Sequence, residues 1–292
     1  MPPGAIICTL RAATFGFQQH LLRVRLPLRN IDARAARRGK RTMGVFAERV
    51  TGRFKIDRLE IAFLERLEDN PLPVKRGHVL TQEGASAEHA FVLMTGWVMS
   101  CSRFPDGSQQ VRRLHFPGDL LAMPSVAMRH YVEDLEALSD AVIAPFPKQR
   151  LAEIFNMPRL AGIMYMFAQA ERISAGDRLA SLGHDSAKAR IAFLLMDILY
   201  RLRSADHSVK NSFFLHLTRE QIAHVTGMTP VHASRMWSAL IGDGLICCSK
   251  RMVSIVDEER LAFLGHYSDR DGDFDHPWLH AVEDRTNAEI VE

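Results

Sequence analysis

Between Leu217 and Trp237 the chain reads LTREQIAHVTGMTPVHASRMW, two short helical patterns parted by a glycine. Isolated helices under about 12 residues are marginal in water, so each must lean on the other and on a larger core. Thr218 and Gln221 have the T-x-x-Q spacing of a capping box, in which each side chain satisfies a free backbone amide of the other residue. Gly227 stands where a left-handed residue ends a helix. Thr229-Pro230 then restarts one, with a capping hydroxyl followed by a proline at the first turn, where no amide hydrogen is missed.

In the second helix Ala233, Met236, Trp237 and Leu240 recur at core spacing, which leaves Pro230, Val231, Ser234, Arg235 and Ser238 outward. A helix carried by a partner, with its first turns projecting, fits a DNA major groove about 12 Å wide. Downstream, GDGLICCSKRMVSIV (Gly242–Val256) reads as two strands around Ser249-Lys250-Arg251, a wing whose basic turn can touch phosphate. The planar guanidinium of Arg235 can give guanine two hydrogen bonds, Val231 can pack on a thymine methyl, and Ser234 or His232 can bond a base or a phosphate.

Upstream the period changes twice. The apolar set Ile56, Leu59, Ile61, Phe63, Leu64 and Leu67 predicts a short helix ended by Asn70-Pro71. From Val74 to Pro147, short apolar runs alternate with turn signals at Gly77, Gly84, Gly96, Asp106-Gly107 and Gly118, the pattern of a β sandwich or jelly roll. After Pro158 a stripe of Leu160, Ile163, Met164, Phe167 and Ala170 predicts a long helix, part of which is expected to seal against a second copy. Gly183–Ser186 is a candidate hinge before a helix that buries Ile191, Leu194, Leu195, Ile198 and Leu199. The fold class is therefore α+β. The expected division is a basic leader over 1–52, a jelly-roll domain over 53–157, a dimerisation helix over 158–183, a winged helix-turn-helix over 184–265 and an acidic tail over 266–292.

The net charge of +3 conceals an asymmetry. Met1–Arg49 holds ten Arg or Lys against Asp32 and Glu48, and Tyr267–Glu292 holds eight carboxylates against Arg270 and Arg285. The leader reads as a DNA-gripping arm, a targeting peptide or sequence upstream of the true start; the favoured reading is the last, with initiation near Met43. No run reaches the roughly 18 apolar residues of a membrane helix, and no signal-peptide pattern opens the chain, so the expected address is cytoplasmic, away from membranes. Cys8, Cys101, Cys247 and Cys248 lack the spacing that clamps a metal. No phosphate loop or nucleophile-base pair calls for catalysis, and the chain is not read as an enzyme.

The ordered motifs GHVLTQEG, LMTGWV, HFPGDLL, AKARIAFLLMDI and LTREQIAHVTGMTPVHASRMWSALIGDGLI resemble the Crp/Fnr family of bacterial transcription regulators, over about Phe54–Phe263. The resemblance implies a homodimer that presents two winged helix-turn-helix domains to palindromic double-stranded DNA, with RNA polymerase as a further partner. It places Arg235 where family members present arginine to guanine, and Arg219 and Thr229 at phosphate-contacting positions; Lys250 and Arg251 join them from the wing.

The sensor departs from the family. Its cyclic-nucleotide binders use a Gly-Glu pair, a following arginine and a Thr-Ser pair on the long helix. Here these are Gly118-Asp119, a position near Tyr131 with Arg129 out of step, and Ala175-Gly176. A buried phosphate without its partner is costly, which argues against cyclic AMP. An iron-sulfur cluster is set aside because the N-terminal cysteine group is missing, and haem because His78, His89 and His115 read as ordinary scattered histidines. No cofactor is expected, and Gly118, Asp119, Arg129 and Tyr131 mark the candidate pocket of an unidentified small effector. The alternative function is a ligand-binding module whose helical hairpin contacts protein instead of DNA, a reading that salt separates, because phosphate contacts weaken as ions rise.

Overall fold

The computed structural model describes residues 43–105 and 108–270. The basic leader up to residue 42, the Asp106-Gly107 turn and most of the acidic tail lie outside the described residues.

The described chain opens with a packed helix, which shortens the expected leader. In α1 (Val45–Thr51) Phe46, Ala47 and Val50 are buried, and the Phe46 amide donates to Glu68 Oε1 at 2.6 Å. The apolar spacing of this one-turn pattern suits a helix that lies on a core, and the arginine-rich run before it does not extend its character past residue 42. Next, α2 (Arg58–Leu67) is capped by Asp57, whose carboxylate accepts from the Leu59 and Glu60 amides while Glu60 reaches back to the Asp57 amide. Phe63, Leu64 and Leu67 are buried as expected, but Leu59 is 77% exposed and Glu60 takes the inward place.

Two antiparallel four-stranded sheets follow. One runs β1 (Leu72–Val74), β8 (Ala141–Pro147), β3 (His89–Thr95), β6 (Leu120–Leu121); the other runs β2 (Val79–Thr81), β7 (Asp134–Ala137), β4 (Val98–Arg103), β5 (Gln109–His115). This is the jelly roll the turn signals predict. Gly96 carries the chain from one sheet to the other at φ +83°, and a Cβ there would lie 2.5 Å from the Asp140 carbonyl oxygen. Phe91, Leu93, Val98, Leu121, Leu135 and Ile143 occupy the space between the sheets.

A 3₁₀ segment (Lys148–Asn156) leads into α3 (Pro158–His184), 27 residues long. Leu160, Ile163 and Met166 bury its first half against α1 and the sheet, whereas Ala168, Arg172, Ala175 and Leu179 are exposed at alternating spacings of four and three. The break expected at Gly183–Ser186 narrows to Asp185 and Ser186, both extended, with the Ser186 hydroxyl capping α4 (Ala187–Ala205).

All five residues expected on the buried side of α4 are buried, and so are Ala192, Phe193 and Met196. The helix is enclosed because it lies between two layers. On one side stand β9 (Ser212–Phe214), α5 (Arg219–Thr226), α6 (Pro230–Gly242), β10 (Ile246–Ser249), β11 (Met252–Ile255) and α7 (Glu258–Leu264). On the other, Met99, Cys101, Val111 and Leu114 of β4 and β5, with Trp97 and Phe116, join Ile191, Leu195, Ile198 and Trp237 in one apolar cluster. The sensor and the helix-turn-helix, separate units in the sequence reading, share a continuous core.

The acidic tail also starts later than expected. Gly265–Arg270 packs back: Tyr267 lies between Phe193 and Tyr200, His266 bonds Asp185 at 2.7 Å, and Arg270 grips Asp177 at 2.7 and 2.8 Å.

Candidate nucleic-acid interface

Local chemistry builds the α5-turn-α6 unit. The Thr218-Gln221 capping box is complete, Gly227 ends α5 at φ +63°, and the Thr229 hydroxyl caps α6 by accepting from the His232 amide. Ala233, Trp237 and Leu240 are buried, Met236 packs partly buried against the same core, and these fix the rotation of α6. Its opposite face carries Val231, 68% exposed, with Ser234 and Arg235 also exposed and His232 half-buried. Arg235 is the one charged residue in PVHASRMWSALIG, so no carboxylate on the helix competes for its guanidinium.

The expected backbone contacts lie on α5, at the start of α6 and in the wing. Thr229 stands exposed at the start of α6. Arg219 is exposed at the start of α5, and its guanidinium stacks on the Trp237 ring at 3.9 Å, a contact the sequence reading missed. Burial lowers its pKa somewhat, yet a guanidinium remains charged at any physiological pH. The stack pins the cation to the helix that presents Arg235. In the wing, β10 and β11 pair from Ile246↔Ile255 to Ser249↔Met252. Lys250 at the turn has φ +55° and is exposed, and Arg251 beside it is half-buried.

The four residues expected to mark an effector pocket differ in their surroundings. Asp119 is 3% exposed and holds two guanidiniums: Oδ1 pairs with Arg49 of α1, and Oδ2 pairs with Arg201 of α4 at 2.6 Å while accepting from the Phe116 amide at 3.0 Å. Burial alone would raise its pKa; Arg201, and then Arg49, outweigh burial and hold the carboxyl far below the usual carboxylate range. Gly118, at φ +85°, would set a Cβ 3.3 Å from the Arg49 side chain. Tyr131 is buried, its hydroxyl donating to the His89 carbonyl at 2.9 Å, and Arg129 is exposed. The partners of Asp119 lie 70 and 82 positions away, and no local pattern announces them.

Of the barrel histidines, His78 and His89 are exposed, and His115 is buried with Nε2 3.3 Å from the Ser100 hydroxyl. Burial, then the neighbouring Arg113, pushes its pKa well below the ordinary histidine value.

Comparison with known proteins matches residues 71–157 to the cyclic nucleotide-binding domain family and residues 189–264 to the Crp-like helix-turn-helix domain family. The fumarate and nitrate reduction regulatory protein of Escherichia coli K12 is 22% identical over 215 residues, 73% of this chain and 86% of that protein. Among solved structures, FixK2 from Bradyrhizobium japonicum superposes with a TM-score of 0.62 at 22% identity, covering 68% of this chain and 98% of that one. The c-di-GMP responsive global regulator CLP of Xanthomonas campestris gives 0.53 at 16%, covering 69% and 100%.

Proposed function

We propose, for a chain that belongs to the Crp/Fnr family of transcription regulators, a homodimer that reads a palindromic DNA site through α6, with Arg235 as the principal base reader. The observation that carries this is the exposed face of α6, where the single guanidinium of Arg235 stands clear of the core on the helix that Arg219 stacks against, with Lys250 exposed at the wing turn. Arg235 donates to guanine, Val231 meets a thymine methyl and Ser234 bonds a base edge. Arg219, Thr229, His232, Lys250 and Arg251 set the register on phosphates and carry no sequence information of their own.

Dimerisation follows from α3. Its exposed seam of Ala168, Arg172, Ala175 and Leu179 has the alternating spacing of a coiled coil, and the small side chains admit a close partner helix. A twofold pair of recognition helices requires half-sites about one helical turn, 34–36 Å, apart. Because the sensor sheet packs directly on α4, a signal that alters the sensor changes the seat of the DNA-binding unit in the same chain. The protein works in the cytoplasm; among the described residues no helix is long and apolar enough to cross a membrane.

Selection of bound sequences from randomised duplexes tests the reading. The expected result is an inverted repeat with centres one turn apart, bound with an affinity that falls steeply as salt rises. Recovery of unpatterned sequences with salt-insensitive binding overturns it.

A further inference from the structure

The DNA-binding unit meets the sensor at a second place besides α4. Trp97, between β3 and β4, lies with its indole 5.1 Å from the His216 ring, and Phe214 of β9 lies 4.9 Å from the same imidazole. His216 stands three residues before Arg219, whose guanidinium stacks on Trp237 of α6. Beside it the Leu215 amide donates to the Arg251 carbonyl at 2.8 Å, so this short segment also carries the wing. A continuous set of contacts therefore leads from the recognition helix and the wing to the barrel.

On the barrel side the β1–β2 turn, residues 75–78, is fixed along its backbone. The Gly77 amide donates to the Ala137 carbonyl at 2.7 Å, and the Ala137 amide donates to the His78 carbonyl at 2.9 Å. Asp140 accepts the Arg76 amide at 3.1 Å and pairs with the Lys75 ammonium at 2.7 Å. The Leu138 amide donates to the Trp97 carbonyl at 2.8 Å, which joins this turn to the residue that meets His216.

What the turn leaves unused is a guanidinium. Arg76 is exposed, and among the described residues its side chain has neither a hydrogen bond nor an ion pair. The same holds for Arg235, Lys250 and Arg251, the cations assigned to DNA above, whereas Arg66, Arg103 and Arg113 of the sensor hold carboxylates. Burial, then Arg251, then Arg76 lowers the pKa of His216 below the ordinary histidine value, and among the described residues no carboxylate opposes them. One imidazole is thus in the field of a wing cation and a sensor cation together.

Like charges brought near one another repel unless an anion joins them, and duplex DNA offers one negative charge per about 1.7 Å of its axis. From this geometry we infer that the sensor is itself part of the DNA-binding surface: the Arg76 guanidinium holds a phosphate next to those held by the wing, on duplex that flanks the base pairs α6 reads. The contact adds affinity and register and reads no bases. It also lets DNA bridge the barrel and the wing, so that their relative seating enters the binding free energy. The inference rests on the DNA-binding role proposed above.

Two duplexes test it with the full chain, by fluorescence anisotropy over a range of salt. One is trimmed to the selected inverted repeat, and the other is extended by about one helical turn of arbitrary sequence at each end. The expected result is that the parent binds the extended duplex about tenfold tighter, and that Arg76→Gln cuts this advantage to about twofold or less. On the extended duplex the slope of log affinity against log salt becomes shallower by about 2, one phosphate in each half-site. Arg76→Lys, which keeps the charge, keeps the advantage within about threefold of the parent. A parental advantage and slope in Arg76→Gln, or an equal loss on both duplexes, overturns the inference and leaves the regulator reading standing. Failure of the parent to bind either duplex overturns that reading and this inference with it.

Discussion

Asp119 sits where a sequence reading places effector chemistry, and the structure makes it a structural node; Asp119→Asn separates the two. The substitution keeps the shape of the side chain and a carbonyl oxygen for the Phe116 amide, but removes the charge that Arg49 and Arg201 share. Breaking a buried ion pair from one side costs about 3–5 kcal/mol, because the remaining charge stays desolvated. Here the lower end applies: the two arginine side chains are 22% and 16% exposed, and Arg201 keeps its bond to the Leu114 carbonyl at 2.7 Å. A loss of about 3 kcal/mol, against a typical stability of about 5–15, with a urea slope near 3 kcal/mol per molar, moves the unfolding midpoint down by about 1 M. The melts are compared at one protomer concentration, since dimerisation adds a mass-action contribution. In the double variant Asp119→Asn with Arg201→Met, one orphaned guanidinium is gone and about 1–2 kcal/mol returns. A midpoint shift under about 0.3 M for Asp119→Asn refutes the reasoning.

Other expectations are more local. His115 is neutral when folded and has a folded pKa well below the unfolded value of 6.5, so its contribution is fully present above pH 6.5 and is lost as pH falls below it. Thermal melts from neutral pH to about 5.5 should show stability dropping by up to about 1.4 kcal/mol per unit, and His115→Phe should flatten that slope; a slope unchanged in the variant refutes the assignment. Gly96→Ala meets both a positive φ and the Asp140 carbonyl, and should cost at least about 2 kcal/mol in urea unfolding, whereas a neutral effect would mean the sheet corner is not as described. Leu179→Asp places a charge on the α3 seam. Light scattering should then give the 33.0 kDa chain mass in place of twice that value; a persistent dimer would move the interface elsewhere.

What was legible from sequence was what short-range chemistry decides. The Thr218-Gln221 box, the Gly227 stop and the Thr229-Pro230 restart lie within a few residues of what they control, and all three appear as read. The outward face of α6 followed from the spacing of Ala233, Trp237 and Leu240. What was not legible is burial imposed from far away. Nothing near Phe193 or Met196 says that the far side of α4 faces a sheet from the sensor, and nothing near Asp119 points to Arg49 or Arg201. Leu59 was assigned inward by apolarity, yet the capping box turns Glu60 inward and Leu59 out. The helix at Val45–Thr51 was hidden by the basic run that precedes it, although Phe46, Ala47 and Val50 already carry one buried face.

The central claim is that α6 reads bases through Arg235, and Arg235→Ala tested on the selected operator and its single-base variants addresses it most directly. The account predicts weaker binding to the best site by about 5- to 150-fold per half-site, with preference relaxed at one base pair in each half and kept elsewhere. Equal loss on every sequence would make Arg235 a phosphate contact, and an unchanged affinity would remove it from the interface altogether.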